Sequence, residues 1–252
     1  MRVEGKNGDG RRRSGWRHAL SVAVVTLSIL LVASGLLLVA SEHRSDGVYA
    51  RVAKERPTAT ESEWERLRDE NPDICGWISV DKTSINYPVV KASEADPEFY
   101  LKHDFDRAYS QAGCPFVDYR CDPNGMKPTI YGHHMGASTI MFSELYSCYK
   151  QESFDRLGWA HWSTPEKGMR NLEPLCAMSV YKDDADAQTF AFENTDAYRA
   201  WLKRVIGRAS AKAPNAEELA SKSESCVALV TCSSPWAGRP WRTVVYFSQS
   251  EG

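Results

Sequence analysis

Short apolar runs separated by turn-forming residues fill most of the chain after residue 70. The runs lie at 76–80, 84–90, 114–119, 129–131, 157–163, 172–181, 189–192, 227–230 and 243–247. Runs of this length, bounded by Gly, Pro, Asn or Asp, are typical of buried strands. Because many short strands follow one another at this spacing, the pattern predicts a mainly β fold whose sheet is closed, or nearly closed, into a barrel.

Two segments have helical spacing. Residues 196–208 place five apolar side chains on one stripe, namely Tyr198, Trp201, Leu202, Val205 and Ile206. Asn194 or Thr195 stands where a helix N-cap is expected. Residues 62–70 predict a shorter helix with Ser62 as its N-cap. We expect both helices to lie at the periphery of the barrel.

A membrane-spanning helix is predicted at residues 19–40, which carry no charge over 22 positions. That length is enough to cross a hydrocarbon core of about 30 Å. Arg11, Arg12 and Arg13 precede the segment and Glu42 follows it, so the positive-inside bias places the N-terminus in the cytoplasm. A cleaved signal peptide is the alternative, but its apolar core normally spans only about 7–15 residues.

The domain organisation that follows from this pattern has four parts. It comprises a basic cytoplasmic tail at 1–18, a transmembrane anchor at 19–40, a stalk with the short helix at 41–70, and an extracellular domain at 71–252. The expected localisation is therefore the cell membrane, with a single span and the main domain outside the cell.

The charge distribution argues against a nucleic-acid partner. The net charge is −2, but six basic and two acidic residues precede the apolar segment, and the rest of the chain carries 25 basic and 31 acidic residues. Nucleic-acid binding requires a basic face. We therefore expect no nucleic acid among the partners of this protein.

Seven cysteines make an odd count, so at least one thiol is left without a partner within the chain. No Cys-x-x-Cys element and no paired Cys/His spacing matches a zinc site. We accordingly expect no metal ion and no other cofactor.

Three residue types that could perform acyl transfer stand at predicted strand ends. Cys232 follows the run at 227–230, and Arg242 begins the next strand. A thiol beside a fixed positive charge favours the reactive thiolate. His133 and His134 follow another strand, and an imidazole exchanges protons near neutral pH. In this set the cysteine attacks, a histidine protonates the leaving amine and the arginine stabilises the oxyanion.

These segments resemble the motifs of class B sortases, the membrane-anchored cysteine transpeptidases of Gram-positive bacteria. Leu229-Val230-Thr231-Cys232 matches the family's L-x-T-C motif, and Arg242 matches its arginine. The Tyr-Gly-His-His-Met sequence at 131–135 matches Y-G-H-x-M and assigns the family's histidine to His133. The class B branch is indicated by the segments 85–90, 99–105 and 113–120 and by the helix at 196–208.

The resemblance implies a closed sortase-type β-barrel and a two-step reaction. Cys232 would attack a threonine carbonyl in the C-terminal sorting signal of a secreted surface protein. His133 would serve as acid and base, and Arg242 would hold the oxyanion. The thioacyl group would then pass to an amine of a cell-wall precursor or a pilin. By position, the substrate-binding candidates are Asn86, Tyr131, Thr231 and Ser233.

Several alternatives remain open at this point. Ala228 and Val230 depart from the residues common in class B members, and Arg239 competes with Arg242 for the oxyanion role. The same residues would also serve a membrane-anchored cysteine peptidase that hydrolyses without transfer. A non-catalytic cell-surface binding module is the third hypothesis.

Overall fold

The structure is a computed structural model that describes residues 9–55, 61–136, 138–233 and 239–249. Residues 1–8 of the predicted basic tail, 56–60 of the predicted stalk and 234–238 of the loop after Cys232 lie outside the described residues. The chain divides into two compact units, residues 1–44 and 45–252.

The first unit contains most of a long helix, α1 (Asp9–Val52). The large apolar side chains described between Leu20 and Leu36 are exposed. Within the described residues, no helix combines the length and apolar character that crossing a membrane requires. The anchor at 19–40 therefore stays a prediction.

The second unit is built on a closed sheet, as the sequence predicts. Its strands are β1 (Ile74–Val80), β2 (Asn86–Lys91), β3 (Phe116–Val117), β4 (Thr129–Tyr131), β5 (Ala160–Thr164), β6 (Gly168–Tyr181), β7 (Ala211–Lys212), β8 (Ser225–Cys232) and β9 (Trp241–Gln249). Eight strands pair in the order β5-β1-β2-β3-β4-β8-β9-β6, and β6 pairs back onto β5 to close the barrel. The short β7 adds to β6 outside this ring.

In the described part of the chain, four further α-helices accompany the strands: α2 (Glu61–Glu70), α3 (Gln151–Phe154), α4 (Thr195–Arg208) and α5 (Ala216–Lys222). The predicted stripe of α4 is buried along its whole length. Asn194 caps α4, because its side-chain oxygen accepts a hydrogen bond from the Ala197 amide at 2.9 Å. The helix α2 begins at Glu61, so Ser62 lies inside it and not at the predicted cap position.

The central strands are covered on both faces. Val227 and Leu229 of β8 face the barrel interior, whereas Ala228 and Val230 pack in a second apolar cluster that includes the stripe of α4. Successive side chains of a strand point to opposite faces. Cys232 therefore shares the face of Ala228 and Val230, on the side where α4 packs.

One predicted strand is absent. Residues 189–192 form an irregular segment that pairs with no strand of the described chain. The carbonyl of Thr189 accepts a hydrogen bond from the side chain of Lys127, and the Phe190 ring packs against the guanidinium of Arg120. Contacts with side chains, and not pairing with a neighbouring strand, therefore hold this segment in place.

Candidate active site

Cys232 and Arg242 lie directly opposite each other on neighbouring strands. Their Cα atoms are register partners at the end of the antiparallel β8–β9 ladder. Directly opposed residues of such a pair project to the same face of the sheet, with Cβ atoms about 4.5–5.5 Å apart. The ladder thus brings the thiol and the guanidinium to one edge of the barrel.

His133 reaches the same edge from the other side of β8. The strands β4 and β8 are parallel, with Tyr131 paired to Val230, and the Gly132 amide extends the ladder by donating to the Val230 carbonyl at 3.0 Å. His133 follows Tyr131 by two residues, as Cys232 follows Val230. Because the strands run in the same direction, both side chains emerge at the same end.

A pocket of about 570 Å³ opens at this edge and contains all three predicted catalytic residues. Its lining comprises Pro97, Glu98, Leu101, Phe116, Asp118, Tyr119, Arg120, Tyr131, Gly132, His133, His134, Val180, Tyr181, Lys182, Ala187, Gln188, Val230, Thr231, Cys232, Arg242 and Val244. Two of the four predicted substrate-binding residues, Tyr131 and Thr231, belong to it.

The other two substrate candidates do not line the pocket. Asn86 lies at the start of β2, where its side-chain oxygen accepts a hydrogen bond from the Trp77 indole at 2.8 Å. The Ser233 hydroxyl is shared between the hydroxyls of Ser179 at 3.2 Å and Thr243 at 3.0 Å. Both side chains have partners within the fold, and neither opens into the pocket.

The ring of His133 is held in one tautomer. Its Nε2 lies 2.8 Å from the Leu101 carbonyl oxygen. Because a carbonyl only accepts hydrogen bonds, Nε2 must carry a proton, and Nδ1 of the neutral ring is then the atom with the free lone pair. The neutral imidazole is thereby prepared to take a proton at Nδ1.

The pKa of His133 is lowered from its ordinary value of 6.5. Burial is the main cause, the hydrogen bond to Leu101 opposes the shift, and the positive charge of Arg242 adds to it. The ring is therefore neutral at pH 7. In the unfolded chain His133 protonates near pH 6.5, so its contribution to the free energy of unfolding is complete above that pH. The contribution declines as the pH falls from 6.5 towards the lower pKa of the folded state.

Replacing Arg242 should raise the pKa of His133. We expect Arg242→Gln to shift the histidine titration upward, since it removes the nearby positive charge, whereas Arg242→Lys should keep the pKa close to that of the wild type. An NMR titration of the imidazole protons measures this, with the resonance assigned by comparison with His133→Gln. An unchanged pKa in Arg242→Gln would show that the two side chains do not interact.

His134 has a different environment from His133. It is 8% exposed, its ring stacks on Tyr146 with centroids 4.5 Å apart, and its Nε2 lies 3.1 Å from the Gly136 carbonyl oxygen. Its Nδ1 is buried and has no hydrogen-bond partner among the residues that the structure describes. His134 is thus a packed ring at the pocket wall, and this environment is consistent with His133 as the proton-transfer residue.

Cys232 differs from five of the other cysteines in its exposure, and from Cys75 in its position at the pocket. All seven thiols are free, five of them are buried, and Cys232 is part-exposed at the pocket. Burial raises the pKa of Cys148 to about 12 and of Cys226 to about 11. Cys75 is also part-exposed, but burial raises the pKa of its thiol, which donates to the Val89 carbonyl at 3.4 Å.

The guanidinium of Arg242 is held at the beginning of β9. Its Nη1 donates to the carbonyl of Arg239 at 2.6 Å and to that of Trp241 at 3.1 Å. Arg239, the rival for the oxyanion role, is exposed and does not line the pocket. Of the two arginines, only Arg242 faces Cys232 across a strand pair.

Sequence reasoning missed two features of the site. The first is the carbonyl of Leu101, a main-chain group, so the residue type gives no signal that it contacts His133. Leu101 nevertheless lies in the 99–105 segment that resembles the family. Asp118 and Arg120 form a two-point ion pair in the pocket wall, with Nε–Oδ1 and Nη2–Oδ2 distances of 2.8 Å. Their i, i+2 spacing at a strand end was the available signal for this pair.

Comparisons with known proteins agree with this geometry. No family model matches the chain. Sortase B of Staphylococcus aureus (strain NCTC 8325 / PS 47) is 28% identical over 185 residues, covering 73% of this chain and 72% of that protein. Sortase B of Listeria monocytogenes is 28% identical over 204 residues, covering 73% and 78%. The structure of a Staphylococcus aureus sortase B–substrate complex matches with a TM-score of 0.70 and 23% identity, covering 83% of this chain and 97% of that one.

The structural match confirms the predicted sortase-type β-barrel. The two curated relatives confirm the resemblance to class B sortases, and with it the prediction of a sortase-type cysteine transpeptidase.

Proposed function

We propose that Cys232, His133 and Arg242 carry out the transpeptidation, cleaving the sorting signal of a secreted surface protein after threonine and joining the released carboxyl end to an amine. The observation that carries this proposal is their shared position at one barrel edge, around one pocket. The strands β4, β8 and β9 place an acid–base group, a nucleophile and a fixed cation at this edge.

Acylation forms a carbon–sulfur bond and breaks the peptide bond. Neutral His133 first takes the thiol proton of Cys232 at Nδ1. The resulting thiolate attacks the threonine carbonyl carbon, and the carbonyl electrons move onto oxygen, where the charge of Arg242 stabilises them. As the tetrahedral intermediate collapses, protonated His133 gives its Nδ1 proton to the departing amine. The products are a thioester on Cys232, the free C-terminal tail and a neutral imidazole.

Deacylation reverses these roles. The incoming amine attacks the thioester carbon, and neutral His133 accepts its proton at Nδ1, while the Leu101 carbonyl keeps the ring in place. A new amide bond forms, and the sulfur leaves as thiolate. The protonated imidazole then returns the proton to the sulfur, so the enzyme regains its thiol and its neutral ring and the proton balance is closed.

Transfer and hydrolysis differ only in the group that attacks the thioester. We expect the full chain, given a peptide library with a fixed threonine and triglycine as the amine, to form the peptide–triglycine conjugate. Mass spectrometry distinguishes this conjugate from the hydrolysed peptide. If cleaved peptide accumulates at every amine concentration without conjugate, the cysteine-peptidase alternative replaces the transpeptidase.

We also propose that residues 19–40 anchor the protein in the cell membrane, with 1–18 in the cytoplasm and the catalytic domain outside. The support is the uncharged stretch of 22 residues and the basic residues before it. The protein should then stay with membranes after a carbonate wash, and protease added to intact cells should digest its catalytic domain. Release by carbonate, or full protection in intact cells, would contradict this topology.

The natural partners follow from the same proposal. The acyl donor is a secreted surface protein with a sorting signal at its C-terminus. The acyl acceptor is an amine of a cell-wall precursor or of a pilin lysine. The conjugates formed in the experiment with triglycine identify the donor sequence, and substitution of lysine derivatives for triglycine distinguishes the two acceptor types.

A further inference from the structure

Lys127 is a buried lysine whose side chain contacts the wall of the pocket. Lys127 is 2% exposed, and its ammonium group donates hydrogen bonds to the main-chain carbonyls of Ala187, at 2.9 Å, and Thr189. Burial lowers the pKa of this lysine. A buried charge is tolerated only where hydrogen bonds compensate for lost water. The two carbonyls supply that compensation.

The two carbonyls belong to the pocket wall at residues 182–190. Ala187 and Gln188 of this segment line the pocket, and the carbonyls that Lys127 binds flank Gln188 on both sides. This stretch belongs to no sheet of the described chain. The ammonium group of Lys127 therefore holds the backbone at the point where the wall meets the pocket.

The residues on either side of Lys127 extend the pairing of β4 with β8, which leads to His133 and Cys232. The carbonyls of its two neighbours, Met126 and Pro128, accept hydrogen bonds from the β8 amides of Cys226 at 2.8 Å and Ala228 at 3.0 Å. The strands β4 and β8 lead from here to His133 and Cys232. The Lys127 side chain thus connects the pocket wall at 182–190 to the strands that position Cys232 and His133.

Aromatic rings fix the direction of the Lys127 side chain. Its Nζ lies 5.2 Å from the ring centroids of both Phe190 and Trp201, within the range of cation–π attraction. The Trp201 indole in turn donates to the Asp186 carbonyl at 3.0 Å. The lysine therefore lies between the wall segment and α4, with contacts on both.

We propose that Lys127 is a positioning residue that sets the separation between the wall at 182–190 and the β4–β8 edge, and so determines how tightly the pocket binds the sorting signal. This inference rests on the proposed function, because it assigns the pocket to the signal peptide. It predicts an effect on peptide binding that is separate from the chemistry of Cys232.

The test is Lys127→Met, which keeps the length of the side chain and removes its donors. We expect the KM for the cleaved library peptide to rise about tenfold, with kcat changed less than about threefold, since the lost contacts act on binding. In the Cys232→Ala background, where no turnover occurs, the affinity for the peptide should fall by a similar factor. Hydrogen exchange should accelerate at residues 182–190 and stay at the wild-type rate in β4 and β8.

Two further variants complete the experiment. Lys127→Arg keeps the charge and the donors and should restore most of the affinity. Arg204→Gln removes an exposed side chain that contacts the same wall through Asp186 at 3.2 Å, and should leave KM and exchange unchanged.

Two results would overturn the proposal: a wild-type KM and wild-type wall exchange in Lys127→Met, or uniformly faster exchange throughout the barrel. If the wild-type chain cleaves no peptide, the proposed function fails instead. The exchange data then still decide whether Lys127 holds the wall.

Discussion

Cys232→Ala should form no covalent intermediate with any sorting-signal peptide. The methyl group has no lone pair with which to attack a carbonyl, and the partners of a catalytic set act as a unit. We expect peptide cleavage to fall by at least about 10⁴-fold, as is usual when a nucleophile is removed. Intact-mass spectrometry of the full chain after incubation with the threonine library measures the intermediate directly.

The matched control for this variant is Cys75→Ala. Cys75 is the other part-exposed cysteine, but it lies on β1 and outside the pocket lining. The Cys75→Ala variant should form the intermediate at the wild-type rate. Cleavage by Cys232→Ala at the wild-type rate would remove Cys232 from the mechanism.

His133→Gln should slow both half-reactions by about 10²–10⁴-fold, the usual contribution of a general acid–base residue. Glutamine retains an amide N–H that can donate to the Leu101 carbonyl, so the local structure should persist. It cannot transfer a proton near neutral pH, so the amine leaves and attacks without assistance. Single-turnover measurements of acylation, and of deacylation by triglycine, give the two rates separately.

His134→Gln is the control for proton transfer at the neighbouring position. The ring of His134 stacks on Tyr146 and is 8% exposed, so its replacement should affect packing more than chemistry. Its rates should fall far less than those of His133→Gln. A reversed order of the two variants would reassign the base to His134.

The sequence pattern was sufficient to predict the barrel and the elements that carry the site. Apolar runs ended at Tyr131 and Cys232 and resumed after Arg242, and these are the edges where β4, β8 and β9 meet. The periodicity of α4 predicted its buried face equally well. In each case the signal was local, because a strand covered on both faces is a continuous apolar run and a helix packed on one side repeats its apolar residues along one stripe.

Features that depend on long-range pairing could not be predicted in this way. The segment 189–192 has the composition of a strand, yet its Thr189 carbonyl accepts a hydrogen bond from the side chain of Lys127, more than 60 positions earlier in the chain. Asn86 was expected at the pocket, but the register of β1 and β2 places it beside Trp77. The acceptor of the His133 ring is the main chain of Leu101, and any residue type at that position supplies the same carbonyl.

The most direct test of the account is to locate the covalent intermediate in the wild-type chain. After incubation with the threonine library and no added amine, proteolytic mapping should find one acyl adduct, on Cys232, ending at threonine and released by triglycine. This result follows from the arrangement of Cys232, His133 and Arg242 around one pocket. Cleavage of the library with the adduct on another cysteine, or with no adduct on any cysteine, would contradict the account.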